Sequence, residues 1–245
     1  MKKTIVEFII TLLILVMSLA IGGYVLHLLI ERKGDIFGRN TQTTTQTSST
    51  SKSKTAKTTS TKSTQADDYT GTMWIGDSRF VGMDKAVDIT STDRNFLVAK
   101  IGQGLPWFKN TALTSVKKIR SKNSALKTWR YVICLGVNDL KDIDNYIEEY
   151  KTLTAEDSKI ELILVSVNPV KDYPSISNSQ IEAFNEKLKD ACDENGWYYI
   201  DTYTTLMDQG YKTTDGLHYD NDTYQTIYQG ILDGLSDYES QKQKN

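Results

Sequence analysis

The hydrophobic pattern of the chain divides it into three stretches. Residues 4–30 (TIVEFIITLLILVMSLAIGGYVLHLLI) are apolar almost throughout, with Glu7 and His27 near the two ends. A helix crosses the hydrocarbon core of a bilayer in about 20 residues, so this run is long enough to span one. Residues 41–66 (TQTTTQTSSTSKSKTAKTTSTKSTQA) contain no large apolar side chain. Such a stretch has too little surface to bury to offset its ordering entropy, and it reads as a disordered tether. From residue 68 onward, short apolar runs alternate with amphipathic stretches, as in a globular domain.

Within that domain, Met73–Ile75, Asn95–Ile101, Tyr131–Leu135, Ile160–Val167 and Trp197–Ile200 read as five strands. The third and fourth are near-continuous apolar runs, as expected for strands covered on both faces. Helical patterns fall at roughly residues 111–121, 142–155, 177–194 and 222–236. In the third of these Ile181, Phe184, Leu188 and Ala191 share one face, and Asn195-Gly196 supplies a stop. Alternating strands and helices predict an α/β fold, a parallel sheet with helices on both sides. In such sheets the active site lies beyond the carboxyl ends of the strands. The expected division is a tip and transmembrane anchor at 1–33, a tether at 34–67, the folded domain at 68–238 and a polar tail at 239–245.

Composition narrows the classes. The 245 residues carry a formal charge of −2, which gives no reason to expect a nucleic-acid partner, because phosphate binding needs a clustered basic surface. Cys134 and Cys192 both lie in apolar-periodic segments and read as buried thiols rather than a disulfide. Lys2, Lys3 and the Ser18-Leu19-Ala20 triplet resemble a cleavable signal peptide. The apolar run nevertheless continues well past Ala20, beyond the usual ~7–15-residue signal core, which favours an uncleaved anchor. Lys2 and Lys3 precede the run while Arg32, Lys33 and Arg39 follow it, so charge counting does not orient it. The Thr/Ser-rich tether tips the reading toward a single-pass protein of the cell membrane with its domain outside the cytoplasm. A cytoplasmic linker is the competing reading.

Three short segments carry candidate chemistry, and each falls at a predicted strand end. Ile75-Gly76-Asp77-Ser78-Arg79 follows the first strand. Gly76 allows a sharp turn there, and Ser78 opens a helix whose N-terminal N–H groups favour developing negative charge. Leu135-Gly136-Val137-Asn138-Asp139 ends the third strand, where an Asn138 amide can donate to an oxyanion. Asp215-Gly216-Leu217-His218 follows the last strand. His27 lies in the apolar run, so a serine mechanism in the domain must use His218 as its base, with Asp215 near enough to orient it. Each segment alone also reads as an ordinary turn or helix cap.

Together WIGDSRF, CLGVNDL and TDGLHYD resemble the SGNH/GDSL hydrolase family, in its order and over residues 72–236. The resemblance implies a three-layer α/β/α flavodoxin-like sandwich with a five-stranded parallel sheet. It implies that Ser78 is the nucleophile, His218 its base and Asp215 the orienting acid. The Ser78 N–H and the Asn138 side chain would line the oxyanion hole, joined by a glycine from Ile101-Gly102-Gln103-Gly104. Gly102 closes the strand directly, while Gly104 better fits the family's spacing. Arg79 departs from the usual leucine and reads either as a surface residue or as a partner for an anionic substrate group. Trp107 and Tyr219 could stack on a sugar ring or simply pack their loops. No metal site or phosphate loop is visible, and no cofactor is implied. The expected activity is hydrolysis of an ester, such as an O-acetyl group on a cell-wall or extracellular glycan. Acyl transfer by the same triad is one alternative, and a catalytically idle glycan-binding module is another.

Overall fold

The computed structural model describes residues 70–244; the expected membrane anchor and tether lie outside them. Among the described residues no helix is long and apolar enough to cross a membrane. The elements run β1 (Thr70–Gly76), α1 (Ser78–Val87), β2 (Asn95–Ala99), α2 (Leu113–Lys122), β3 (Thr128–Cys134), α3 (Ile143–Glu156), β4 (Ile160–Val165), α4 (Asn178–Asn195), β5 (Tyr198–Ile200), α5 (Thr202–Gln209) and α6 (Asn221–Lys242). A helical turn at Leu105–Trp107 and a π-helical turn at Phe108–Ala112 lead into α2.

The five strands form one sheet in the order β2-β1-β3-β4-β5, and every pairing is parallel. Successive side chains of a strand point to opposite faces, and both sets are apolar here. Met73, Ile75, Tyr131, Ile133, Leu162 and Leu164 pack on one side against α2, α3 and α4. Trp74, Val132, Cys134, Ile163 and Val165 pack on the other against α1, α5 and α6. The sheet is therefore buried in the middle of three layers, which explains why its strands read as continuous apolar runs. Cys134 and Cys192 are buried free thiols.

The order reverses between β1 and β3, since β2 lies to one side of β1 and all later strands lie to the other. Such a switch point leaves a crevice outside the carboxyl ends of those two strands. Ser78 follows β1 and Asn138 follows β3, so the topology itself brings them together. The structure also differs from the sequence reading. Helix α1 is the one expected at Ser78, while α5 is additional to it and to the four helical patterns. The last helix runs to Lys242 instead of ending near residue 236. Within the expected polar tail, Glu239 and Lys242 form ion pairs with Arg130 and Glu161.

Candidate active site

Asp77 caps α1, its Oδ1 accepting the Arg79 N–H at 2.9 Å. This cap fixes the first turn and leaves Ser78 at the helix start, 6% exposed, with its N–H uncommitted by the helix. On the opposite rim, Asp215 folds the 215–218 turn around its own carboxylate. Oδ1 accepts the N–H groups of Leu217 at 2.9 Å and His218 at 2.7 Å. Oδ2 lies 2.7 Å from His218 Nδ1. Chiefly the His218 backbone bond, then its ring, and the Leu217 bond hold the Asp215 carboxyl down at about 2. An ionised Oδ2 accepts the Nδ1 proton, which leaves the Nε2 lone pair facing outward. Nε2 lies 2.8 Å from Ser78 Oγ. The three sequence-predicted residues thus form one hydrogen-bonded chain.

Asn138 stands beside it. Its Nδ2 donates to the Gln103 carbonyl at 2.8 Å and more weakly to Asp77 Oδ2 at 3.3 Å. The segment holding Gly102 and Gly104 is thereby drawn to the site, and each glycine is required for a different reason. Gly102 sits at φ +68, in the left-handed region. A Cβ at Gly104 would lie 2.1 Å from Asp139 Oδ2. The C=O and N–H of a trans peptide point in opposite directions, so the Gly104 N–H faces away from the Asn138 amide that the Gln103 carbonyl engages.

Asp77 and Asp139 are the residues whose weight the sequence reading missed. Burial pushes the Asp77 carboxyl up to about 6, against the lowering influence of the Arg79 charge and backbone N–H. Asp139 accepts the Leu105 N–H at 2.6 Å and the Tyr146 hydroxyl at 2.8 Å. It ties the 102–105 loop to the turn that carries Asn138, and burial raises its carboxyl. The sequence signal at Asp139 was the acid of Asn138-Asp139, read as part of a helix cap. A cleft of about 570 Å³ opens from Asn138 and Leu217 toward Lys141, Tyr173, Ile176 and Gln180.

The expectation for Arg79 is corrected, and Tyr219 follows its packing alternative. Arg79 is neither on the surface nor free for an anion. It is 4% exposed, and its guanidinium donates to the carbonyls of Leu217, Asn168 and Pro169. Tyr219 is buried; its ring packs edge-on against Tyr211 and Tyr224, and its hydroxyl donates to Pro169 O. No face of it is left for a sugar. Trp107 is half-buried and packs against the α2–α4 side of the core.

No protein-family model matches the chain, and no curated protein matches it. Solved structures do. The C-terminal catalytic domain of peptidoglycan O-acetyltransferase A from Streptococcus pneumoniae, carrying a methylsulfonyl adduct, superposes with a TM-score of 0.51 at 18% identity, over 69% of this chain and 94% of that one. A protein from Desulfitobacterium hafniense DCB-2, assigned to the lipolytic G-D-S-L family, superposes with a TM-score of 0.50 at 19% identity, over 68% of this chain and 99% of that one. The chain has the SGNH/GDSL hydrolase fold. A Streptococcus pneumoniae protein provisionally named a platelet activating factor is similar to the same extent, with a TM-score of 0.51 at 18% identity over 67% of this chain and 83% of that one. On this SGNH/GDSL scaffold, Ser78, Asn138 and the 215–218 turn all lie at the carboxyl end of the sheet.

Proposed function

We propose that the chain is a serine hydrolase that cleaves a short-chain carboxylic ester on a carbohydrate. The observation that carries this reading is the Ser78–His218–Asp215 relay, at 2.8 and 2.7 Å. Ser78 Oγ attacks the acyl carbon while His218 Nε2 takes its proton. The tetrahedral oxyanion is met by the Ser78 N–H and by Asn138 Nδ2, whose long 3.3 Å bond to Asp77 is the one to give way. The orientation of the Gly104 N–H supports Gly102 as the third donor. His218 then protonates the departing alcohol, leaving an acyl-Ser78 ester. A water molecule, deprotonated by the same imidazole, releases the acid and restores the serine.

The substrate class rests on the cleft beside Asn138, which mixes Lys141, Tyr173 and Gln180 with Ile176 and Leu217. A hydroxylated ring suits such a lining better than a long acyl chain, whose burial calls for continuous apolar walls. If a sugar hydroxyl enters instead of water, the same acyl-enzyme gives a transferase. The similar fold of an O-acetyltransferase catalytic domain keeps that second reading in play. We place the domain outside the cytoplasm on an N-terminal membrane anchor, a reading supported by the apolar run at 4–30 and the Thr/Ser-rich stretch after it.

The test incubates the full-length protein with p-nitrophenyl acetate and with O-acetylated polysaccharide, with and without an added oligosaccharide acceptor. Hydrolysis predicts acetate release that is independent of acceptor and lost in Ser78→Ala. Transfer predicts an acetylated acceptor in place of free acetate. Neither product from the folded protein would leave a glycan-binding module as the function.

A further inference from the structure

Arg79 is buried, charged and unused by the proposed chemistry, yet it follows the nucleophile directly. All three hydrogen bonds of its guanidinium go to backbone carbonyls outside its own helix. Nε donates to Leu217 O at 3.2 Å, Nη1 to Asn168 O at 2.7 Å and Nη2 to Pro169 O at 3.4 Å. Its Cζ also lies 5.2 Å from the centre of the Tyr219 ring, within cation–π range. Leu217 and Tyr219 are the residues on either side of His218. The guanidinium therefore holds the chain both before and after the base, from the residue next to the nucleophile.

The support behind this grip is rigid. Asn168 Oδ1 accepts the Thr202 hydroxyl at 2.8 Å, and Ser166 Oγ accepts the N–H groups of Thr202 and Tyr203 at 2.9 and 2.8 Å. The loop after β4 is thus locked to the start of α5. Asp215 cannot do the same work for His218, because it sits on the same turn and moves with it. Asp215 sets the ring orientation, whereas the distance from the turn to Ser78 needs a link to α1. A planar guanidinium with donors fixed in three directions supplies one; a leucine has no donor, and a lysine ammonium cannot reproduce the fork.

We propose that Arg79 is a positioning residue that sets the approach of His218 to Ser78 by clamping both flanks of the base to the nucleophile's helix. The proposal rests on the reading of Ser78 and His218 as nucleophile and base. A shift of about 1 Å between reacting groups costs on the order of 100-fold in rate, so the clamp acts on turnover and leaves the cleft largely intact.

The experiment compares full-length wild type with Arg79→Leu, Arg79→Lys and Arg79→Ala. It reads p-nitrophenyl acetate kinetics, thermal unfolding and NMR of 15N-labelled histidine, where His218 is one of only two histidines. Arg79→Leu is expected to lose roughly 100-fold in kcat with KM within about threefold, while the His218 ring resonances shift in a still-cooperative fold. Arg79→Lys should recover part of the turnover, and added guanidinium ion should raise that of Arg79→Ala. Wild-type kcat in Arg79→Leu, or unmoved His218 resonances and titration in that folded variant, overturns the clamp. If Arg79→Leu does not fold, full kcat in Arg79→Lys together with no response of Arg79→Ala to guanidinium overturns it equally. An inactive wild type refutes the hydrolase reading instead, and the histidine spectra still decide whether Arg79 holds His218.

Discussion

Replacing Asp77 by asparagine removes a buried ionisation while keeping the shape of the helix cap. Asp77 is 2% exposed, and burial pushes its carboxyl up to about 6 from 3.8. A carboxyl whose folded pKa is raised binds its proton more tightly in the native state, so its ionisation works against folding. The penalty is absent below the unfolded pKa of about 3.8, grows as pH rises toward 6 and is constant above that. A rise of about two pKa units corresponds to ~3 kcal/mol. The substituted side chain keeps an oxygen for the Arg79 N–H, and asparagine is as good an N-cap as aspartate. Its amide turns a donor toward Asn138 Nδ2, and losing the 3.3 Å bond there costs about 1 kcal/mol. Asp77→Asn should therefore gain ~3 kcal/mol relative to wild type between pH 3.5 and pH 7, ending about 2 kcal/mol more stable at neutral pH. Urea unfolding followed by tryptophan fluorescence at a series of pH values measures the gap. A gap that stays constant over this range, or narrows as pH rises, refutes the reasoning.

Three further outcomes follow from the site. Asn138→Ala should lower kcat by ~10²–10³ with little change in KM, because an oxyanion donor acts in the transition state; an effect confined to KM would place Asn138 in ground-state binding. Asp215 is held at about 2, so its bond to the ring is present above its unfolded pKa and is lost only as pH falls through about 2. Loss of that bond should contribute nothing to the acid limb of kcat/KM above pH 3, and NMR of 13C-labelled aspartate showing the Asp215 carboxylate protonated above pH 3 would refute this. Asp215→Asn should cut kcat by roughly 100-fold or more through loss of the Nδ1 acceptor, leaving the turn in place because an oxygen still accepts the Leu217 and His218 N–H groups.

Much of this was legible in the sequence because burial on both faces writes a continuous apolar run. That pattern marked Tyr131–Leu135 and Ile160–Val167, and the structure sets them beside each other as β3 and β4. Helix α4 announced itself by Ile181, Phe184, Leu188 and Ala191 on one face. Helix α5 did not, since Thr202–Gln209 spends three of its eight positions on threonine, a poor helix former; its Asp201 cap and its packing against the sheet supply what propensity lacks. The relay residues were readable because each belongs to a short, ordered motif; Ser78 stands at a strand end, whereas α5 separates Asp215 and His218 from β5. Arg79 was misread for one reason. Sequence shows that a polar group exists but not whether distant carbonyls will meet it, and Leu217 and Asn168 lie 138 and 89 residues from Arg79. Asp139 failed the same way, its partner Leu105 being 34 residues back.

The most direct test of the central claim is covalent. Full-length protein treated with a fluorophosphonate should acquire a single adduct, and peptide mass spectrometry should map it to Ser78. Labelling should vanish in Ser78→Ala and slow sharply in His218→Ala, because the probe reacts only with a serine whose proton an adjacent base can take. An adduct on another residue, or labelling that persists in folded Ser78→Ala, contradicts the assignment of Ser78 as nucleophile.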